Sequence, residues 1–212
     1  KYKLQIHAEH FQKVRHNLLG IKGSKMKDIK TVRSHSQALS QCSNMVLENN
    51  FEAIVSADTA GSAKFISEKK DKSESAIASE LAAKIYNLEI LKANVEDETG
   101  NVTRFLIMGK DTRHPEYLKN KKYITSCIFK LKSIPAALYK ALGGFATNGV
   151  NLCKLESFSV KNTFDQVNFY IDIEGHIESP SVQKALEELG FHTQKLDVLG
   201  VYEADQFRFK NK

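Results

Sequence analysis

The stretch CIFKLKSIPAALYKALGGF, residues 127–145, decides the fold of the second half of the chain. Its apolar residues alternate from Cys127 to Leu131, as they do on one face of a strand. From Leu138 to Phe145 they recur instead at the three- and four-residue spacing of a helix. The stretch therefore predicts a strand followed directly by a helix.

The residues after this stretch extend the pattern. Residues 152–160 and 167–173 predict two strands around a turn at Asn162-Thr163, because apolar positions alternate on both sides of it. Apolar residues at helical spacing between 182 and 189 predict a second helix, and residues 196–201 predict the last strand. The order β-α-β-β-α-β is that of a ferredoxin-like α+β domain.

The first half of the chain predicts a different architecture. Residues 4–32 indicate strand, turn and strand, and a helix is expected from about Gln37 to Glu48, with Ser34 or Ser36 as its N-cap. A strand is expected over 51–56. Strands that alternate with helices predict an α/β layer.

Two further elements of the first half follow from spacing. A helix is expected to begin near Thr59, after small and capping residues. Ile77, Leu81 and Ile85 stand four residues apart, which predicts another helix whose apolar stripe packs on the sheet. Strand-like sequence returns over 101–108.

We expect two domains from these patterns. Residues 110–122 carry charge, one proline and little apolar patterning, so they predict a linker. Residues 1–109 then form the first domain and residues 123–212 the second.

Composition excludes several classes of protein. Hydrophobic residues make up 42% and charged residues 26%, which is ordinary for a globular protein, and the longest apolar runs are too short to span a bilayer. Residues 1–30 contain no signal-peptide core, so a cytoplasmic protein is expected. The net charge of +6 is concentrated near the linker and lacks a nucleic-acid motif, so no nucleic-acid partner is expected.

Cysteine and histidine do not predict a metal site. Cys42, Cys127 and Cys153 are scattered, and we expect buried thiols in a reducing compartment. The seven histidines have no metal-ligand spacing, and His35 is interpreted as a packing or solvent-facing residue.

Four segments of the first domain resemble prephenate dehydratases, and their order along the chain also matches. They are Ser34-His35-Ser36-Gln37-Ala38-Leu39, Ala57-Asp58-Thr59-Ala60-Gly61-Ser62-Ala63, Ala76-Ile77-Ala78-Ser79 and Asn101-Val102-Thr103-Arg104-Phe105. The resemblance implies a partial two-lobed, periplasmic-binding-protein-like catalytic domain with an α/β fold. It also implies that prephenate loses carbon dioxide and water to give phenylpyruvate, in phenylalanine biosynthesis and without a cofactor.

The resemblance implies a role for each motif residue. Thr103 would assist the departing hydroxyl, Arg104 would bind a carboxylate through its planar fork, and Phe105 would flank the ring. Substrate binding is expected from hydroxyl, amide and backbone N–H groups at two helix starts, where anions bind well. The residues concerned are Ser34, Gln37, Thr59 and Ala60.

The second domain resembles an ACT regulatory domain, in which a small amino acid binds across a subunit interface. The resemblance implies L-phenylalanine as effector and a homodimer or homotetramer formed through these domains. The effector-binding residues would be Pro135, Ala136, Ala137, Leu138, Asn151, Leu152, Glu156 and Ser157. Relatives often carry Gly where Ala136 stands and Pro where Ser36 stands, so the sequence departs from the family pattern there.

Two alternatives stay open at this point. Arogenate, the amino-donor analogue of prephenate, would fit an arogenate dehydratase, since both substrates share the ring and the leaving hydroxyl. A non-catalytic ACT-type module that binds and senses an amino acid is the second. Family members normally carry a further segment before the position that corresponds to Lys1, so we expect this chain alone to be a poor catalyst.

Overall fold

The computed structural model describes residues 3–111, 113–159 and 167–209. The chain divides into two units, one formed by residues 12–103 and the other by Lys1–Phe11 together with Arg104–Lys212. The divisions fall inside strand β1 (Gln5–Lys13) and strand β7 (Val102–Gly109), which pair with each other. The sequence analysis expected residues 1–109 to form one domain, whereas residues 1–11 and 104–109 group here with the later part of the chain. A strand that continues from one unit into the other shows no change of pattern in the sequence.

The unit of residues 12–103 contains a five-stranded sheet. Its strands are β2 (Asn17–Gly20), β3 (Thr31–His35), β4 (Glu52–Ser56), β5 (Glu74–Ala78) and β6 (Glu89–Lys92). The strand order is β4-β3-β5-β2-β6; β3 runs parallel to β4 and β5, whereas β2 runs antiparallel to β5 and β6. A mostly buried sheet of this kind needs cover on both faces.

Four helices provide that cover. They are α1 (Ser36–Ser40), α2 (Ser43–Glu48), α3 (Thr59–Lys69) and α4 (Glu80–Ile85). Leu18 and Ile77 belong to one apolar cluster with residues of α1 and α2, while Leu19 belongs to a second cluster with residues of α3 and α4. Adjacent residues of β2 therefore serve opposite faces, as a pleated strand requires.

Two sequence predictions for this unit were wrong in detail. The single helix expected from Gln37 to Glu48 is two short helices, with Gln41 and Cys42 between them. The helix expected through Ile77 is not continuous, because Ile77 lies in β5 and the helix begins only at Glu80.

The apolar stripe predicted for that second helix does not pack inward. Leu81 and Ile85 are each 64% exposed, whereas Ala82 and Ala83 are buried. Ser79 accepts a hydrogen bond from the N–H of Ala82 and so caps a helix of a single turn or two. The four-residue spacing is a coincidence, because Ile77 belongs to a strand while Leu81 and Ile85 are exposed residues of the helix.

The other unit contains the predicted β-α-β-β-α-β series. Its elements are β8 (Tyr123–Leu131), α5 (Ala137–Thr147), β9 (Leu152–Ser159), β10 (Val167–Glu174), α6 (Pro180–His192) and β11 (Thr193–Glu203). The antiparallel sheet has the order β11-β8-β10-β9. The turn predicted at Asn162-Thr163 lies outside the described residues.

The two faces of this sheet have different chemistry. Phe129, Ile171 and Ile173 pack with residues of both helices in one apolar core. Asp172, between the two isoleucines, is also fully buried, so it lies on the opposite face. Strand β1 approaches that opposite face, since Ile6 packs with Ile124 and Tyr202. Within the described residues, no helix has the length and apolar character needed to cross a membrane.

Candidate functional site

A surface pocket in the unit of residues 12–103 brings together three of the predicted substrate and catalytic residues. Gln37 from the first turn of α1, Thr59 from the start of α3 and Thr103 from β7 all line it. These residues come from three separate segments of the sequence. The parallel strands β3 and β4 end at the same edge of the sheet, which brings the starts of α1 and α3 together.

Ser34 and Ala60 are placed differently from these three. Ser34 is fully buried, and its hydroxyl donates a 2.7 Å hydrogen bond to the carbonyl oxygen of Ile77. This bond ties the end of β3 to the neighbouring strand β5. Ala60 is exposed in the first turn of α3, directly after Thr59.

The sequence interpretation missed three polar residues that line the same pocket: His16, Gln41 and Asn101. The Oε1 atom of Gln41 lies 3.0 Å from Nε2 of His16 and accepts a 2.9 Å hydrogen bond from Nδ2 of Asn101. Glu96 accepts a 3.0 Å bond from the backbone N–H of His16. The polar wall beside Thr103 is therefore organised by hydrogen bonds among its own residues.

Local signals could have found two of these residues. Gln41 follows Gln37 by four positions, so both face one side of a helical turn. Asn101 precedes Thr103 by two positions, which puts both on one side of extended chain. No local signal identifies His16, because it lies before all the motifs in the sequence. Only the folding of the chain brings it to the pocket.

The starts of α1 and α3 are capped by side chains that also line the pocket. Nδ1 of His35 accepts a 3.2 Å hydrogen bond from the N–H of Gln37, so His35 is the N-cap that the sequence assigned to Ser34 or Ser36. Asp58 accepts a 2.5 Å bond from the N–H of Gly61. In the first turn of α3, Thr59 and Ala60 contribute N–H groups that have no partner within the helix.

Arg104 follows Thr103 in the chain but is held by groups of its own unit. Its Nε donates to Glu9 at 2.7 Å, its Nη1 donates to Asp172, and its Nη2 donates to the Tyr202 hydroxyl at 2.6 Å. The Arg104 side chain is only 17% exposed, and those of Glu9 and Asp172 are fully buried. The guanidinium predicted to bind a substrate carboxylate thus already binds two carboxylates of the protein.

The charge of Arg104 is secured by this environment. Burial by itself would lower the pKa of its guanidinium, but the hydrogen bond to Asp172 and the nearby Tyr202, Asp172 and Glu9 raise that pKa above its ordinary value. Arg208 donates to Glu9 from both Nε and Nη2, at 2.6 and 2.8 Å. Two buried carboxylates therefore face two arginines, a neutral arrangement that a buried cluster requires.

Phe105, the third residue of the predicted catalytic motif, is 54% exposed on β7. Its neighbours Leu106, Ile107 and Met108 are also exposed. Phe105 belongs to the unit that contains Arg104, whereas Thr103 belongs to the other one. Its predicted place beside the substrate ring stays a prediction.

The predicted effector residues occupy two parts of the unit that includes Arg104–Lys212, which is called the C-terminal unit below. Pro135 and Ala137 line a pocket together with Lys130, Phe169 and Gln194. Ala136 stands between them in the left-handed conformation, with φ +57° and ψ 30°. This conformation favours glycine over alanine.

The remaining effector residues have distinct environments. Leu138 and Leu152 pack against the apolar core of the unit, and the carbonyl oxygen of Asn151 accepts a 2.9 Å bond from the N–H of Glu174. On β9, Glu156 is exposed and pairs with Lys154 at 2.9 Å. Ser157, also exposed, stands opposite Phe169 of β10.

Comparison with known proteins adds a family to this geometry. The family model described as prephenate dehydratase matches residues 1–113. A bifunctional N-acyl-homoserine lactone acylase/prephenate dehydratase of Komagataeibacter europaeus is 43% identical over 98% of the chain, and a prephenate dehydratase of Methanocaldococcus jannaschii is 38% identical over 89%. An arogenate dehydratase/prephenate dehydratase of Arabidopsis thaliana is 37% identical over 98%. The chain spans 73%, 67% and 56% of these three relatives, respectively.

Two solved structures are also similar to this chain. A structure described as GqqA, a novel type of quorum quenching acylase, matches with a TM-score of 0.88 at 42% identity, over 98% of this chain and 75% of the other. A crystal structure of prephenate dehydratase from Arthrobacter aurescens in complex with L-Phe matches with a TM-score of 0.85 at 29% identity, over 95% and 66%.

Proposed function

The chain belongs to the prephenate dehydratase family, and from that premise we propose that it converts prephenate to phenylpyruvate in L-phenylalanine biosynthesis. The observation that carries the proposal is the pocket lined by Gln37, Thr59 and Thr103. These residues come from three of the four segments that resemble the family. Their convergence on one pocket is expected if the segments act on one substrate.

The reaction demands little covalent chemistry from the protein. When the ring carboxylate leaves as carbon dioxide, its bonding electrons complete the aromatic ring and expel the allylic hydroxide, which takes a proton and becomes water. We assign Thr103 a hydrogen bond to the departing oxygen, because an alcohol is too weak an acid to give up its proton outright. Such a donor acts where negative charge develops in the transition state.

Substrate carboxylates would be held at the starts of the two helices. The amide of Gln37 and the N–H groups of Thr59 and Ala60 can donate hydrogen bonds, and the positive end of the α3 dipole favours an anion. Arg104 is assigned elsewhere, because Glu9 and Asp172 already occupy its fork. Within the pocket, Gln41 holds Asn101 and His16 beside Thr103.

The C-terminal unit is proposed to be an ACT domain that binds L-phenylalanine and joins subunits into a homodimer or homotetramer. Its β-α-β-β-α-β order supports this assignment. The Arthrobacter relative, whose structure contains L-Phe, supports the choice of effector. The pocket lined by Pro135 and Ala137 and the exposed pair of Glu156 with Lys154 are the candidate contacts.

Arogenate is the second candidate substrate. The Arabidopsis relative and an arogenate dehydratase 2 of Petunia hybrida, 35% identical over 97% of the chain, carry this activity in their names. Arogenate differs from prephenate only in bearing an amino group where prephenate has a keto group. The two substrates are therefore to be compared in one assay.

The non-catalytic alternative is favoured by one observation. Arg104 of the predicted catalytic motif donates its hydrogen bonds to Glu9 and Asp172 of the protein itself. An amino-acid-binding module without catalytic activity would also have its arginine bound in this way. The test is formation of phenylpyruvate from prephenate, and of phenylalanine from arogenate, by the chain with and without L-phenylalanine. The same assays are made on the chain joined to the part of the Methanocaldococcus relative that it does not cover.

Turnover in either form supports the proposal, provided that Thr103→Val lowers kcat by about 100-fold or more while Thr103→Ser keeps most of it. Binding of L-phenylalanine without turnover in any form would establish the sensing module instead. An N-acyl-homoserine lactone is assayed in parallel, because the name of the Komagataeibacter relative includes that acylase activity.

A further inference from the structure

We propose that Arg104 is a positioning residue, and that a chain of contacts from Glu156 through Tyr170 and Asp172 to Arg104 transmits effector binding to Thr103. The inference rests on the proposed function, because it concerns the regulation of that site. The inference goes beyond the proposed function because it assigns Arg104, Asp172 and Tyr170 a shared role in regulation. None of the motifs predicted from the sequence implies that role.

The first step of the route lies on the face of the sheet opposite the helices. Glu156 of β9 and Tyr170 of β10 are cross-strand partners, and so are Lys154 and Asp172. The Lys154 ammonium pairs with Glu156 at 2.9 Å and lies 5.4 Å from the centre of the Tyr170 ring. An amino acid that brings its own ammonium to Glu156 competes with Lys154 and so disturbs the group that covers Tyr170.

The second step is buried and specific. The Tyr170 hydroxyl donates a 2.6 Å hydrogen bond to Oδ1 of Asp172, while Oδ2 of the same carboxylate accepts from Arg104. Burial, and next the bond to Asp172, raise the pKa of Tyr170 to about 12, so the hydroxyl keeps the proton that it donates. One carboxylate thus joins the tyrosine to the arginine.

The third step is covalent. Arg104 follows Thr103 by one peptide bond within β7. Asp172, Glu9 and Tyr202 hold all three guanidinium nitrogens, which leaves the arginine almost no freedom of its own. A shift of Asp172 therefore moves the backbone of β7 at the residue that carries the proposed catalytic hydroxyl.

The arrangement explains why an arginine is suited to this position. A lysine has the same charge but cannot donate in a plane to two carboxylates and a hydroxyl at once. It also explains the composition of the sheet face, where the Ser126 hydroxyl donates to Asp172 and lies 2.8 Å from the hydroxyl of Tyr202. A buried polar network in which every group has a hydrogen-bond partner can adopt only a few arrangements. It therefore changes between discrete arrangements rather than by small continuous shifts.

The test is hydrogen exchange of the backbone amides of residues 102–105 in the full chain, with and without saturating L-phenylalanine. Tyr170→Phe removes only the hydroxyl that reaches Asp172. Tyr139→Phe is the matched control, because Tyr139 is 83% exposed on α5. Affinity for L-phenylalanine is measured on each variant by calorimetry.

We expect L-phenylalanine to speed exchange at these amides by about 5-fold or more in the unmodified chain and in Tyr139→Phe, because it disturbs the contacts that hold Arg104. In Tyr170→Phe this acceleration should be lost, although L-phenylalanine still binds with an affinity within about 3-fold of the unmodified chain. Equal acceleration in Tyr170→Phe would overturn the route. Binding of L-phenylalanine without any change at residues 102–105 of the unmodified chain would overturn it as well.

If L-phenylalanine does not bind the unmodified chain, the proposed effector site fails, and the transmission step fails with it. The positioning role of Arg104 is then decided without ligand. Asp172→Asn should speed exchange at residues 102–105 by about 10-fold or more, while Asp197→Asn, in the exposed pair with Lys195, should not. Equal exchange in both variants would overturn the positioning role.

Discussion

Arg104 donates from Nε to Oε2 of Glu9 at 2.7 Å, so a strand near the start of the chain is joined to a strand almost a hundred residues later by a buried ion pair. Glu9 also accepts from both Nε and Nη2 of Arg208 and from the N–H of Asp205. One carboxylate therefore holds two buried cations and the segment after the last strand. Because Glu9 has so many partners, we expect the cluster to be most sensitive to substitution at this position.

Glu9→Gln should lower the free energy of unfolding by about 3 kcal/mol, because it leaves two buried arginines with one carboxylate between them. Urea unfolding of the purified variant measures the change. The matched control is Glu203→Gln, whose carboxylate pairs with Lys121 at the surface and should give no measurable shift. Equal effects of the two substitutions would contradict the assignment of Glu9 as the centre of a buried cluster.

Ser34→Ala should lower the free energy of unfolding by about 1 kcal/mol, since it removes the buried hydrogen bond to Ile77. Ser36→Ala, at the exposed start of α1, is the control and should change little. If Ser34→Ala instead left stability unchanged and raised KM for prephenate, the substrate-binding role that the sequence predicts for Ser34 would be supported over the structural one.

Local periodicity explains how much of the fold the sequence predicted. The β-α-β-β-α-β series of the C-terminal unit was predicted in the right order, because each element carries several apolar residues at its own period. The prediction failed at Ile77, where a short strand adjoins a helix of six residues. Neither element is long enough to show its period before the other begins.

Contacts between distant segments explain what the sequence could not predict in the candidate site. Gln37, Thr59 and Thr103 were predicted from motifs, and they share a pocket. His16 and the partners of Arg104 were missed, since a contact across 68 residues, such as that of Arg104 with Asp172, leaves no local pattern. From the sequence alone, a carboxylate in a strand is interpreted as a residue that faces solvent.

Ala136→Gly should raise the free energy of unfolding by about 0.5–1 kcal/mol. Ala136 has φ +57°, a conformation that costs an alanine about 1–2 kcal/mol and that glycine adopts freely, although glycine loses more entropy on folding. Ala146→Gly, at an exposed position in α5, is the control and should lower stability, by up to about 1 kcal/mol. Destabilisation by Ala136→Gly would show that the left-handed conformation is not populated in solution.

Alkaline pH should weaken the C-terminal unit through its buried tyrosines. Burial, followed by the hydrogen bond to Asp172, raises the pKa of Tyr170 from 10.0 to about 12. Burial, followed by the charge of Asp172, also raises the pKa of Tyr202. Between pH 10 and pH 12 the unfolded tyrosine has lost its proton while the folded one keeps it, so the stabilisation that is complete below about pH 10 falls as the pH rises.

Tyr170→Phe removes one of these two contributions, so its stability should fall less steeply above about pH 10 than that of the unmodified chain. Urea midpoints measured from about pH 8 to about pH 11 give the slopes. Tyr139→Phe, on the surface of α5, controls for the loss of a hydroxyl and should keep the slope of the unmodified chain. An unchanged slope in Tyr170→Phe would mean that Tyr170 ionises as readily in the folded chain as in the unfolded one, and its bond to Asp172 could not then be the buried link on which the transmission to Thr103 depends.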